Sequence, residues 1–115
     1  MFAEIHKQGC DALVVLTDPR IIRKLVDLAN EWRIPAVWQI GSYADMGGLL
    51  SYSADFNEIG RDAVYVDKII RGANPAEIPV QQPTRLELRV NLKTAKAPGL
   101  TIPDSVIARA DKVIE

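Results

Sequence analysis

Ala12-Leu13-Val14-Val15-Leu16-Thr17-Asp18-Pro19 is the stretch on which the reading of the fold turns. Its first five residues are apolar with no polar alternation, the pattern of a short strand buried on both faces, as in a parallel sheet. Thr17, Asp18 and Pro19 then break the run. Asp18 can cap a following helix, and Pro19 fits the first helical position, where no amide donor is needed. A strand that passes straight into a helix is half of a βαβ unit.

Working outward, Phe2 to Lys7 read as the closing turns of a helix, with Gly9 at the left-handed position that commonly ends one. After Pro19, Ile21, Leu25, Leu28, Ala29 and Trp32 recur at helical spacing, widened by Ile22 and Val26, with Arg23, Lys24, Asp27 and Glu31 on the wet side. Ile34-Pro35 should end that helix. Residues 36–39 read as a second strand, the loop Gly41-Ser42-Tyr43-Ala44-Asp45 follows, and residues 49–53 read as a third strand. A helix is expected over residues 55–71, with Asp55 and Glu58 placed as a capping box, Ile59, Ala63, Val66 and Ile70 as its inner line, and Gly72 as its stop. The proline-punctuated residues 72–83 read as an extended connection. Residues 85–91 alternate, with Leu86, Leu88 and Val90 opposite Arg85, Glu87 and Arg89, which predicts a half-exposed strand at a sheet edge. A helical turn over 93–96 stops at Pro98-Gly99, and a last amphipathic helix is expected over 103–114. The order predicts an α/β fold: a three-layer, mostly parallel open sheet with flanking helices.

Composition narrows the function classes. The 115 residues are 48% hydrophobic and 25% charged, with a net charge of −1. That suits one globular domain and leaves no electrostatic footprint for nucleic acid. No apolar run is long enough to cross a bilayer, and Glu4 with the polar residues after it interrupts any signal-peptide core. The single cysteine, Cys10, forms no internal disulfide and is expected to be an inert buried thiol. Nothing points to catalysis: His6 lies on a helical segment without a nucleophile beside it, and no phosphate-binding glycine loop or metal-ligand spacing occurs. No cofactor is expected.

In open parallel sheets, ligands bind outside the carboxyl ends of the strands. Three segments follow the three strands, namely Thr17-Asp18, the stretch from Gln39 through Ser42 and Tyr43, and Ser53 to Asp55 preceded by Tyr52. Hydroxyls, a carboxamide, carboxylates and aromatic rings on one edge suit a small polar organic molecule. Each residue has a structural alternative. Asp18 and Asp55 serve as helix caps, Tyr43 and Tyr52 as packing residues with surface hydroxyls, and Trp32 and Trp38 as core.

The stretches CDALVVLTDP, RIPAVW and GGLLSYSADFNEIGRDAVYVDKIIRGANPAEIPVQQPTRLELRVNLKTAKAPGLTIPDSVIARAD together resemble the C-terminal half of ABC-transporter substrate-binding proteins related to the tryptophan- and tyrosine-binding lipoproteins. The most specific part is a helix ending in KIIRGANPAEIPV, followed by a strand entering NLKTAKAPGLTIP. Pro98 stands where that family usually has leucine. The resemblance implies a type I periplasmic-binding-protein lobe, residues 1–115 being the second of two, outside the cytoplasm. Its partners would be a small solute, often an amino acid, and a membrane permease. Carried over by position, the ligand-facing residues are Thr17, Asp18, Gln39, Ser42, Tyr43, Tyr52 and Ser53. By the same resemblance, the 55–72 segment would pack on a first lobe that this chain does not include. Its bare apolar line leads to the expectation of a homo-oligomer through that helix. The alternatives are an effector-sensing lobe of a transcription regulator and a truncated product that only self-associates.

Overall fold

The structure, a computed structural model, describes residues 1–16, 19–55 and 63–115. Thr17, Asp18 and Ile59, and the capping box that Asp55 was expected to form with Glu58, therefore lie outside the described residues or depend on them.

The elements follow in the order α1 (Phe2–Lys7), β1 (Leu13–Val15), a 3-10 turn (Pro19–Ile21), α2 (Ile22–Glu31), β2 (Ala36–Trp38), α3 (Gly41–Asp45), β3 (Leu50–Ala54), α4 (described over Ala63–Ile70), a second 3-10 turn (Pro75–Glu77), β4 (Leu86–Asn91), α5 (Leu92–Lys96), α6 (Asp104–Ile107) and β5 (Lys112–Ile114). The chain divides into a larger unit, residues 1–53 with 87–115, and a smaller one, residues 54–86.

The larger unit holds the sheet, in the order β1-β2-β3-β4-β5. β1, β2 and β3 run parallel, with Val14 beside Val37 and Val37 beside Leu50. β4 reverses direction. Asn91 N donates to Leu49 O at one end of the β3–β4 pair (2.8 Å), and Asp55 N donates to Arg85 O at the other (3.0 Å). β5 runs parallel to β4. The mostly parallel α/β architecture is as the sequence indicated.

Three local expectations are corrected. β4 is an inner strand, and the edge is β5. The helix expected over 103–114 is helical only at Asp104–Ile107, because Lys112, Val113 and Ile114 pair with Arg89, Val90 and Asn91. Asp111 N donates to Leu88 O (2.8 Å), and its Oδ2 accepts from Leu88 N (2.9 Å), so the ladder begins one residue earlier. Cross-strand pairing here outweighs helical periodicity. Cys10 is exposed, because the left-handed Gly9 (φ 70°) turns the chain outward after α1.

α2 covers one sheet face. Ile22, Val26 and Ala29 pack with Ala36, Trp38 and Tyr43, and with Phe2 from α1. The buried stripe is rotated from the expected one: Ile21 and Trp32 are exposed, and the Trp32 ring meets His6 edge-on at 5.9 Å. The helix stops before the proline could act. Arg33 takes a left-handed conformation (φ 53°), Ile34 N donates to Ala29 O (2.9 Å) and Arg33 N to Asn30 O (3.1 Å). These two bonds satisfy carbonyls that the helix end would otherwise leave open.

Alternation along the register places Leu13, Val15, Ala36, Trp38 and Ser51 on the α2 side. Val14, Val37, Leu50 and Tyr52 fall on the other. There Val90 is fully buried, yet Val14 is 76% exposed and Leu16 75%.

In the smaller unit, Gly72 (φ 98°) ends α4, and Ala73 N donates back to Lys68 O at 2.9 Å. Asn74 caps the second 3-10 turn, its side chain accepting from Ala76 N (3.1 Å). Tyr65, Ile69, Pro75, Ile78, Pro79 and Val80 line an open groove, and Val66 and Ile70 are exposed.

Candidate functional site

The carboxyl ends of β1, β2 and β3 lie on one edge of the sheet, and the reversed β4 brings its amino end, with Glu87, to the same edge. Gln39, Ser42 and Ser53 therefore gather there by topology. Gln39 is half-buried and Ser42 exposed at the start of α3. Ser53 is buried, and its Oγ has no partner among the described residues. Tyr52 is exposed but projects from the opposite sheet face. Tyr43 is 4% exposed and packs edge-on against Trp38, with ring centroids 6.4 Å apart. It belongs to the core beneath the loop.

Side-chain bonds to backbone carbonyls fix the β2–α3 segment. Ser51 Oγ donates to Gly41 O (3.4 Å), and Asn91 Nδ2 to Ala44 O (3.0 Å). Asn30 Nδ2 (3.0 Å) and Thr94 Oγ1 (2.9 Å) both donate to Gly47 O. Asn91 also caps α5, its Oδ1 accepting from Thr94 N at 3.1 Å. α2, β3, β4 and α5 each contribute to holding the loop that carries Ser42.

Two glycines permit this approach. A Cβ on Gly48 would stand 2.5 Å from Trp38 Nε1 and 2.7 Å from Tyr43 O. A Cβ on Gly41 would stand 2.9 Å from Arg89 Nε and 3.3 Å from Glu87 Oε2.

Glu87 and Arg89 escaped the sequence reading, which placed them on a solvent face. The Arg89 side chain is only 18% exposed, whereas Leu86 on the supposed inner face is 51% exposed. Arg89 donates to Glu87 Oε2 (2.9 Å) and to Asp45 Oδ2, and Lys112 Nζ reaches Asp45 Oδ1 (2.8 Å). The network ties α3 to β4 and β5. No spacing rule links Asp45 to Arg89, 44 residues away, so only the folded register reveals it.

Burial works to raise the Asp45 pKa, but the hydrogen bond from Lys112 and the charges of Arg89 and Lys112 outweigh it and hold the group below its ordinary value. Arg89 is held above its own, first by its bond to Glu87. A depressed carboxylate contributes stability above its unfolded pKa, about 4, and loses it as pH falls through the folded value. The urea midpoint should therefore drop between pH 5 and pH 3 (roughly the titration window of such a group). Asp45→Asn should be less stable at neutral pH and show a smaller drop. An equal drop in both proteins would remove Asp45 from the account.

Among the described residues there is no cluster of potential metal ligands and no helix long and apolar enough to cross a membrane.

The profile of the family described as ABC transporter substrate binding protein matches residues 2–114. This chain belongs to that family. Among solved structures, this family member is similar to a conserved domain protein from Vibrio cholerae O1 biovar El Tor str. N16961, with 30% identity and a TM-score of 0.86, over 96% of this chain and 38% of that one. It is also similar to the ABC domain in complex with L-Trp from Streptococcus pneumonia, with 27% identity and a TM-score of 0.82, over 96% and 40%. A ligand-free, open substrate-binding protein with adhesive properties from Clostridium difficile, at 21% identity and TM-score 0.64 over 97% and 41%, shares the fold. No curated protein matches. The substrate-binding family member described here thus spans about two-fifths of the length of these neighbours.

Proposed function

We propose that this substrate-binding family member supplies one lobe of an extracytoplasmic solute receptor for an ABC permease, without catalytic activity of its own. It would take a small polar organic solute, an amino acid or a close relative, at the strand-end edge. The observation that carries this reading is the loop after β2. Ser42 is exposed between buried Gly41 and Tyr43, on a backbone fixed by Ser51 and Asn91. A prearranged polar loop on the ligand-bearing edge of an α/β sheet is the kind of surface that grips a solute without an ordering cost. The L-Trp complex of the Streptococcus neighbour supports an amino acid as the solute class.

On this reading Gln39, Ser42 and Ser53 contact the solute, together with Thr17 and Asp18, while Tyr43 supports the loop from below. Residues 1–115 are the second lobe of a two-lobed receptor. The exposed Val66 and Ile70 of α4 would lie against a companion lobe or, in this chain alone, a second copy.

Amide NMR titration of the 115-residue chain with a panel of amino acids at millimolar concentration tests the proposal. One lobe covers only part of a ligand, so weak binding is expected, with saturable shifts confined to residues 17–18, 39–43 and 53–55. Ser42→Ala should weaken binding about three- to ten-fold, the effect of one hydrogen bond, and leave the melting temperature unchanged. Shifts elsewhere, or none with any amino acid, would count against the reading.

A further inference from the structure

A row of polar side chains runs along the α3 face of β3 and β4 toward the strand-end edge. Asn91 N bonds Leu49 O and Asp55 N bonds Arg85 O, at equal spacing on the two strands, so the pair has no bulge between them. Ser51 therefore stands opposite Arg89, and Ser53 opposite Glu87. Ser51 Oγ donates to Gly41 O, and a Cβ on Gly41 would stand 2.9 Å from Arg89 Nε and 3.3 Å from Glu87 Oε2, which places this face under α3. Ser53 shares the face of Ser51, one pair nearer the edge.

The inner pair has partners from α3, and the outer pair does not. Ser51 is bonded to the Gly41 carbonyl, and Arg89 to Asp45. Ser53 is 8% exposed, and its hydroxyl has no partner among the described residues. Across from it, Glu87 takes the Arg89 guanidinium on Oε2 (2.9 Å), with its side chain 16% exposed. Asp45 holds the same guanidinium at its far end, so Arg89 does not serve Glu87 alone. A buried hydroxyl without a partner is costly, and a carboxylate accepts bonds on both of its oxygens. The Cβ atoms of such an opposed pair stand about 5 Å apart, within reach of one small group that donates to both. Arg89 Nε is buried against Gly41, so Arg89 shapes this place without lining it.

We propose that Glu87 and Ser53 form the ammonium-binding part of the solute site, Glu87 Oε1 and Ser53 Oγ accepting from a protonated primary amine. Arg89, anchored by Asp45, is the positioning residue that fixes the other oxygen of Glu87. The inference rests on the solute-binding reading above and narrows it, since a neutral sugar or a simple carboxylate would leave Glu87 without its counter-charge.

Isothermal titration calorimetry of the 115-residue chain tests it, with L-tryptophan and L-leucine each set beside the same molecule lacking its amine, indolepropionate and isocaproate. The amino acid should bind about tenfold or more tightly than its amine-free analogue, the effect of a charged hydrogen bond. Glu87→Gln should remove most of that preference and leave the affinity for the analogue as it was. Ser53→Ala should weaken the amino acid about three- to ten-fold without lowering the melting temperature, because the hydroxyl it removes has no partner to lose. If Glu87→Gln does not fold, Ser53→Ala carries the test. Arg89→Lys keeps the charge but not the fork, and should reduce the amine preference while the analogue binds as before. An equal loss for amino acid and analogue in Arg89→Lys would overturn its positioning role. An amino acid and analogue bound alike by the wild type, or a preference that survives Glu87→Gln or Ser53→Ala, would overturn the inference and leave solute binding standing. Silence toward every amino acid would overturn both.

Discussion

Trp38→Ala should lower the stability of the sheet-containing unit by about 3–5 kcal/mol, the largest effect expected of any single truncation here. The indole is 1% exposed at the end of β2, under α2 and beside Tyr43. Its loss removes the contacts of a large ring and leaves a hole that a sheet and helix on either side cannot collapse to fill. Total stabilities of domains this size are about 5–15 kcal/mol, so the variant should be partly unfolded at 37 °C. Trp38→Phe should cost less than half as much, because most of the volume is retained. Urea titration followed by circular dichroism distinguishes these outcomes, and a Trp38→Ala midpoint within 0.5 M of wild type (roughly 1 kcal/mol at ordinary denaturant sensitivity) would mean that the core is looser than described.

Gly48→Ala comes next, from overpacking. The added methyl would meet Trp38 Nε1 and Cδ1 at 2.5 and 2.6 Å and the Tyr43 carbonyl oxygen at 2.7 Å. Such contacts cannot persist, and since one of them is backbone, the loop after α3 or the indole must move, at about 1–3 kcal/mol. The two sites are in contact, so their effects should not add. In a Trp38→Phe background the five-membered ring is gone, and Gly48→Ala should cost less than in the wild type, though still something because of the Tyr43 oxygen. Equal costs in both backgrounds would assign the effect to the backbone alone.

The fold was legible where a segment's own pattern coincides with its tertiary surroundings. The apolar run at residues 12–16 contains β1 (Leu13–Val15), although Val14 and Leu16 are exposed and the strand is not buried on both faces as expected; Gly9 and Gly72 sit where left-handed caps are required. Legibility failed where a partner decides. Lys112, Val113 and Ile114 are compatible with a helix until β4 offers a ladder. Ile21 and Trp32 belong to a stripe wide enough to be rotated by one position, and α1 and β2 determine which line goes inside. Arg89 looks like a solvent residue on an alternating strand until α3 supplies Asp45.

At the site, the edge itself followed from strand order, and Gln39, Ser42 and Ser53 reach it. Tyr43 illustrates what a sequence lacks: on a single helical turn, one residue's step decides between cleft and core, and Trp38 below the loop decides it here. The ion network was illegible for the same reason, since charges 44 residues apart become neighbours only after the sheet forms.

The anchoring of the β2–α3 loop has a consequence for how the proposed solute-binding surface can diversify. Its backbone is held by Ser51, Asn91, Asn30 and Thr94, none of which is Ser42. Position 42 is therefore open to change while the frame stays put, and if the proposed solute contact at Ser42 holds, substitutions there can explore new chemical preferences without spending the stability reserve on each trial. Within this loop the latitude falls on the exposed Ser42, with the buried Gly41 and Tyr43 on either side admitting almost none.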